Sequence, residues 1–182
     1  MEARAVEATA IEATAVGATV DWLPTPVREL LETALVAEVT VARSDGRPLS
    51  YPLIPLYDQG LIYMSSSVVF SRKLEHLKRD GRVSLSITDP QSTGGRPDRV
   101  TIQGDARLLE DDTHTTWERI LPLWRVKEPS VDWFYKNRVG FPLYFERTLI
   151  EVTPRRAFYW PDGKAASPPQ VFSAPASGTE AA

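Results

Sequence analysis

Between Leu35 and Trp160, apolar and polar residues alternate with a period of two through most segments, the pattern of half-buried strands. Leu35 to Arg43 is rich in β-branched residues, with Val39 and Val41 facing opposite Glu38 and Thr40. Ser44-Asp45-Gly46-Arg47 turns the chain into a second extended run, Pro48 to Tyr57. Asp58-Gln59-Gly60 turns it again into Leu61 to Ser65, so three strands follow one another as an antiparallel meander. Pro48, Pro52 and Pro55 cannot donate ladder hydrogen bonds, which assigns the second strand to an edge or a bulge. Arg82 to Thr88, with Val83, Leu85 and Ile87 on one face, Arg99 to Leu109, Leu143 to Val152 and Arg156 to Trp160 complete the strand set.

Elsewhere the spacing becomes helical. Thr25 as N-cap and Pro26 at the first helical position open a short helix through Val27, Leu30, Leu31 and Ala34. Ser71 to Arg79 carries Leu74 and Leu77 three apart among charges. Asp111 to Lys127 is a helical pattern around Trp117, Ile120 and Leu121 that Pro122 is expected to kink or end, and Ser130 to Arg138 is a further short helix. The sum is a mainly β (α+β) chain of six or seven antiparallel strands, forming a closed or partly open barrel with flanking short helices. Residues 1–22, which repeat Val6-Glu7-Ala8-Thr9-Ala10 as Ile11-Glu12-Ala13-Thr14-Ala15, read as a low-complexity tail. Residues 161–182, rich in Pro, Ser and Ala, read as a second one, which leaves 23–160 as the folded domain. The apolar pair Val171-Phe172 raises the alternative that the second tail docks on a partner subunit.

Composition narrows the chemistry. The chain has no cysteine and two histidines, His76 and His114, so thiolate catalysis, iron–sulfur ligation, Cys-based zinc sites and a three-His metal centre are excluded, and no metal site is expected. With 21 Lys+Arg against 24 Asp+Glu the net charge is −3, which argues against nucleic acid as the partner. No run of 18 apolar residues and no basic-then-apolar leader is visible, so neither membrane nor secretion is expected and the assignment is cytoplasmic. Gly-x-Gly-x-x-Gly, P-loop and Gly-x-Ser-x-Gly motifs are absent from the sequence.

Any anion site must therefore be local, and one segment qualifies. Ser71-Arg72-Lys73 stands at a helix start, where cations oppose the positive end of the helix dipole. A phosphate there would receive backbone N–H groups, a hydroxyl and two cations; a solvated charge cluster is the plainer reading. Ser65-Ser66-Ser67 adds hydroxyls at the preceding strand end, or simply turn residues. The aromatic crowd of Trp117, Trp124, Trp133, Phe134, Tyr135, Phe141, Tyr144 and Phe145 is core, dimer interface or a substrate pocket wall. Neither histidine is given a role, and no residue is named as catalytic.

These segments also carry a resemblance. Asp45-Gly46-Arg47-Pro48, Pro52-Leu53-Ile54-Pro55-Leu56-Tyr57-Asp58, Gly60-Leu61-Ile62-Tyr63-Met64, Ser71-Arg72-Lys73-Leu74, Leu77 to Leu85 and Gly104-Asp105-Ala106, in this order and spacing, resemble the FMN-binding split barrel of the pyridoxamine 5'-phosphate oxidase-like superfamily. The resemblance implies a split β-barrel homodimer with FMN at the subunit interface. It implies that Arg72 and Lys73 hold the phosphate with Ser65, Ser66 and Ser71 as hydroxyl partners, and that Ser50, Tyr51, Pro52 and Leu53 present backbone to the isoalloxazine ring. The implied activity is a flavin-dependent oxidoreductase acting on an unidentified small molecule. A deazaflavin-dependent reductase or a non-catalytic flavin or haem carrier are the alternatives on the same fold. Ser50 stands where true pyridoxamine phosphate oxidases carry a basic residue, which argues against a vitamin B6 substrate.

Overall fold

The computed structural model describes residues 21–67, 71–110, 113–137 and 147–175. The repeat before residue 21, Val68-Val69-Phe70, the aromatic residues Phe141, Tyr144 and Phe145, and the first part of the strand expected from Leu143 lie outside them, as do the side chains of His114, Phe134 and Tyr135.

Eight strands form one antiparallel sheet: β1 (Ala37–Ala42), β2 (Pro48–Leu53), β3 (Leu56–Asp58), β4 (Leu61–Ser67), β5 (Arg82–Ile87), β6 (Arg99–Leu109), β7 (Arg147–Trp160) and β8 (Gln170–Ser173). Their order is β2-β1-β5-β6-β7-β4-β3, with β8 also on β7. The two ends of this order are strands that Ile54-Pro55 alone separates in sequence. The sheet therefore curls until its edges are joined by two residues of chain, with no ladder between β2 and β3 among the described residues: a barrel with one split seam. The second strand expected from Pro48 to Tyr57 breaks here because Pro55 has no N–H to donate. β2 is an edge strand, as its prolines require.

The inward face holds the main core. Val39 and Val41 of β1, Val83, Leu85 and Ile87 of β5, Ile102 of β6, Ile150 and Val152 of β7, and Ile62 and Met64 of β4 pack with Leu74 and Leu77 of α2 (Arg72–Arg79) and Val27, Leu30 and Leu31 of α1 (Thr25–Thr33). The N-cap of α1 is Pro24, not Thr25, and no side chain caps it; Thr25 and Pro26 already lie inside the helix. β6 and β7 pair over eleven residues of β6, interrupted by a bulge between Gln103 and Gly104 that leaves Arg155 as the extra residue. The two strands expected at Leu143–Val152 and Arg156–Trp160 are thus one bulged strand. At the bulge, a Cβ on Gly104 would lie 2.5 Å from the Thr153 carbonyl oxygen, so the position has room for glycine only.

A second core covers the outward face. α3 (Thr113–Lys127) lays Trp117, Ile120, Leu121 and Trp124 on Leu56, Tyr63 and Leu149, with Val131 of α4 (Val131–Lys136) beside them. Trp117 and Trp124 meet edge to face at 4.6 Å. Pro122 does not end α3, which continues to Lys127; proline removes one N–H, and the buried residues on either side hold the helix together. Trp117 and Trp124 are accordingly core, whereas Trp133 is 58% exposed.

The fold also runs past Trp160. Gln170–Ser173 pairs with Arg156–Tyr159, Phe172 packs against the core, and Trp160 Nε1 donates to the Ser167 carbonyl at 3.1 Å. The segment read as a C-terminal tail thus contributes a strand to its own sheet, because β7 outruns β4 and leaves a free edge for it.

Lys127 braces the joint between β2 and β3. Its Nζ donates to the Leu31 carbonyl in the last turn of α1 at 2.5 Å and to the Pro55 carbonyl at the β2–β3 break. Burial pushes its pKa down to about 8. A lysine with a lowered folded-state pKa binds fewer protons folded than unfolded between pH 8 and 10.5, so its contribution to stability rises with pH across that window. Urea unfolding of the wild type and Lys127→Met should show their stability difference moving in favour of the wild type between pH 7 and pH 10; a pH-independent difference would contradict it.

Candidate functional site

β4 ends in Ser65-Ser66-Ser67, set in register against Leu149, Thr148 and Arg147 of β7. Ser66 follows Ile62 and Met64 on the inward face and is 1% exposed; its Oγ lies 2.7 Å from the Ser71 Oγ. Ser71 is the N-cap of α2, yet its hydroxyl makes no capping bond to its own helix. The first-turn N–H groups of α2 thus gain no side-chain acceptor from it, and the positive end of the helix faces the cluster.

Leu74 and Leu77 pin one side of α2 to the core, and this decides where its cations go. Lys73 is half-buried, its Nζ 5.5 Å from the centre of the Tyr51 ring, while Arg72 is exposed on the first turn. Tyr51 faces Lys73 because it shares the inward side of the β2–β1 pair with Val39. Arg147 reaches the same corner from β7. Its Nε donates to the Ser65 Oγ at 2.9 Å, and its guanidinium lies 5.6 Å over the Trp124 ring. Burial first, and the positive charge of Arg147 second, hold the Lys73 ammonium below the ordinary lysine pKa.

Lys73, Ser66 and Ser71 on the inward side and Arg147 with Ser65 on the outward side thus meet at the end of one strand and the start of one helix, near enough for the charge of Arg147 to act on Lys73. Keeping both cations there costs free energy that an anion would offset. Of the residues expected at a cofactor site, the structure sets Ser66, Ser71, Lys73 and Tyr51 on the inward side of this corner and Ser65, with Arg147, on the outward side. Leu53 is half-buried two residues along β2; Ser50, whose Oγ lies 2.8 Å from the Thr40 Oγ1, and Pro52 are exposed. Sequence reading missed Arg147. Another hollow, of about 470 Å3, lies on the outward face of β1, β5 and β6, between Thr40, Pro48, Ser84 and Arg155, and includes none of these residues.

Neither a family model nor a curated protein matches the sequence. Solved structures do match it. A protein of Clostridium acetobutylicum related to general stress protein 26, from the pyridoxinephosphate oxidase family, superposes with a TM-score of 0.57 at 18% identity over 81% of this chain and 92% of that one. An F420 reductase gives 0.55 at 19% over 74% and 98%, and an FAD-binding protein of Mesorhizobium loti 0.52 at 19% over 74% and 92%. The fold is their split barrel. It also matches a haem-binding protein of Mycobacterium smegmatis, with a TM-score of 0.57 at 15% identity over 89% of this chain and 60% of that one. No helix among the described residues is long and apolar enough to cross a membrane.

The geometry has a proton-linked consequence. A phosphate group that paired with Lys73 would raise its lowered pKa, so binding would take up protons at alkaline pH. Calorimetric titration of FMN at pH 9.5 in two buffers of different ionisation heat should register this uptake, and Lys73→Met should abolish it. Equal uptake in the variant would place the titrating group elsewhere.

Proposed function

We propose that this chain binds a flavin-type cofactor, FMN first among them, by its phosphate at the Ser65-Ser66-Ser71-Lys73-Arg147 corner, and that it is an oxidoreductase of small molecules. The observation that carries the reading is a half-buried Lys73 that feels the charge of Arg147 across the strand end, with the Ser66 and Ser71 hydroxyls 2.7 Å apart at the start of its own helix and Arg147 on the Ser65 hydroxyl. The donor set fits a phosphate: cations for its charge, hydroxyls and helix N–H groups for its oxygens. The likeness to split-barrel structures supports the cofactor class and leaves the substrate open.

When bound, the flavin supplies hydride or electron transfer. The chain's own residues position it. Lys73 and Arg147 anchor the phosphate, and Arg72 adds a third charge from the exposed first turn. Tyr51 and Leu53 lie on the edge strand, whose outer backbone groups have no ladder partner among the described residues and so remain available to a planar ring. Lys127 keeps that strand's end fixed through the Pro55 carbonyl. The reading includes a homodimer with the cofactor at its interface, where a second copy would cover the face of the ring turned away from β2. Sedimentation should give a dimer at micromolar concentration, and a cofactor-loaded monomer would contradict that part.

The phosphate is the group that discriminates. Lys73→Ala or Arg147→Ala should weaken FMN by about ten- to a hundredfold, since a charge-assisted contact contributes roughly 1.5–3 kcal/mol, while riboflavin, which lacks the phosphate, changes little. An unchanged FMN-to-riboflavin ratio in both variants would overturn the site. The absorption spectrum of the purified protein separates a flavin from a deazaflavin or a haem, and substrate-dependent reoxidation after reduction separates an enzyme from a carrier.

A further inference from the structure

A separate cavity of about 400 Å3 opens on the outward side of β6 and β7, beneath the first turns of α3. Its walls include Arg107, Leu108, Leu109, Thr116, Arg119 and Glu151. It lies four residues along β7 from Arg147, about 13 Å by strand rise, and does not depend on the cofactor reading.

Glu151 is the unusual residue. It shares the outward face of β7 with Arg147 and Leu149, and it is 5% exposed, so its carboxylate needs compensation. Arg107, opposite it in register, donates from Nε to Oε1 at 2.5 Å. Tyr63 stands opposite it on β4, where burial, and then the charge of Glu151, pushes the phenol up to about 12. The guanidinium of Arg119 lies 5.2 Å over the Tyr63 ring. Among the described residues Arg119 has this ring but no carboxylate partner. Both guanidinium groups are therefore oriented, one by a buried carboxylate and one by an aromatic face, and they wall the same cavity.

The charge count selects the ligand. Two arginines against one glutamate leave a single positive charge, which a monoanion neutralises, whereas a dianion would meet Glu151 in excess. Planar guanidinium groups suit the planar, two-oxygen end of a carboxylate, and Leu109, on the outward face with Arg107, offers an apolar wall. The volume lies within the range of small-molecule sites, roughly 300–1,000 Å3. We propose that this cavity binds a small organic carboxylate, its anionic end on Arg107 and Arg119 and its apolar body against Leu109.

Calorimetric titration of the full chain with benzoate, with neutral benzamide of the same shape and with inorganic phosphate, all at physiological salt, tests this. Benzoate should saturate the protein and bind at least about tenfold more tightly than benzamide or phosphate. Arg119→Ala should weaken benzoate about fivefold or more. Glu151→Gln, which removes the competing carboxylate while keeping its shape, should tighten benzoate several-fold by freeing Arg107. The proposal is overturned if benzoate does not saturate by about 10 mM, binding weaker than the roughly millimolar range expected of a specific small-ligand site. It is equally overturned if benzamide or phosphate binds as well as benzoate, or if Glu151→Gln weakens it. Circular dichroism of both variants, together with benzoate binding to Arg119→Lys, which keeps the charge, separates loss of the site from loss of the fold.

Discussion

Strand β7 is the constraint on which the rest depends. It is paired on both sides over much of its length, by β6 from Leu149 to Trp160 save for the bulged Arg155, by β4 along its first half and by β8 near its end. A strand held this way has no freedom of register, since a slip of one residue would exchange its two faces. Its inward residues Ile150 and Val152 build the barrel core, and its outward residues Arg147, Leu149 and Glu151 lie under α3. Both charged groups are fixed by that pairing. Arg147 marks the corner where β4 gives way to α2, and Glu151 marks the cavity further along.

This arrangement shows how a chain of net charge −3 brings two cations to one strand end. The cations are few and come from different elements, α2 and β7, each positioned by apolar anchoring of its own backbone. Leu74 and Leu77 fix α2, and Leu149 fixes β7. Burial does the rest, because a half-buried lysine beside an arginine has its charge poorly compensated until an anion arrives. The split seam matters for the same reason: it leaves the β2 edge unpaired within the described residues yet rigid at Pro55.

Much of this was legible in the sequence. Alternation located β1, β5 and β6 to within a residue or two, the prolines placed β2 at an edge, and Ser71-Arg72-Lys73 stood out at a helix start. The misses have physical causes. Arg147 lies 82 residues from Ser65 in sequence, and only the β4–β7 ladder brings them together. A signal was present, since Arg147 and Glu151 are the charged residues of the strand's first half and, four apart, share a face. β7 is buried on both faces in its first half, which blurs its alternation, and its bulge at Arg155 made one strand read as two. β8 was hidden by a Pro- and Ser-rich setting, and α3 outlasted Pro122 because packing outweighs one lost hydrogen bond.

The central claim is that Lys73 and Arg147 form a phosphate site. A crystal structure of the protein grown with FMN tests it most directly. The account predicts the phosphate within hydrogen-bond reach of the Lys73 Nζ and the Arg147 guanidinium, roughly 2.7–3.2 Å from oxygen to nitrogen, with Ser66 or Ser71 donating a hydroxyl. A phosphate bound away from both cations, with the flavin otherwise ordered, would contradict it.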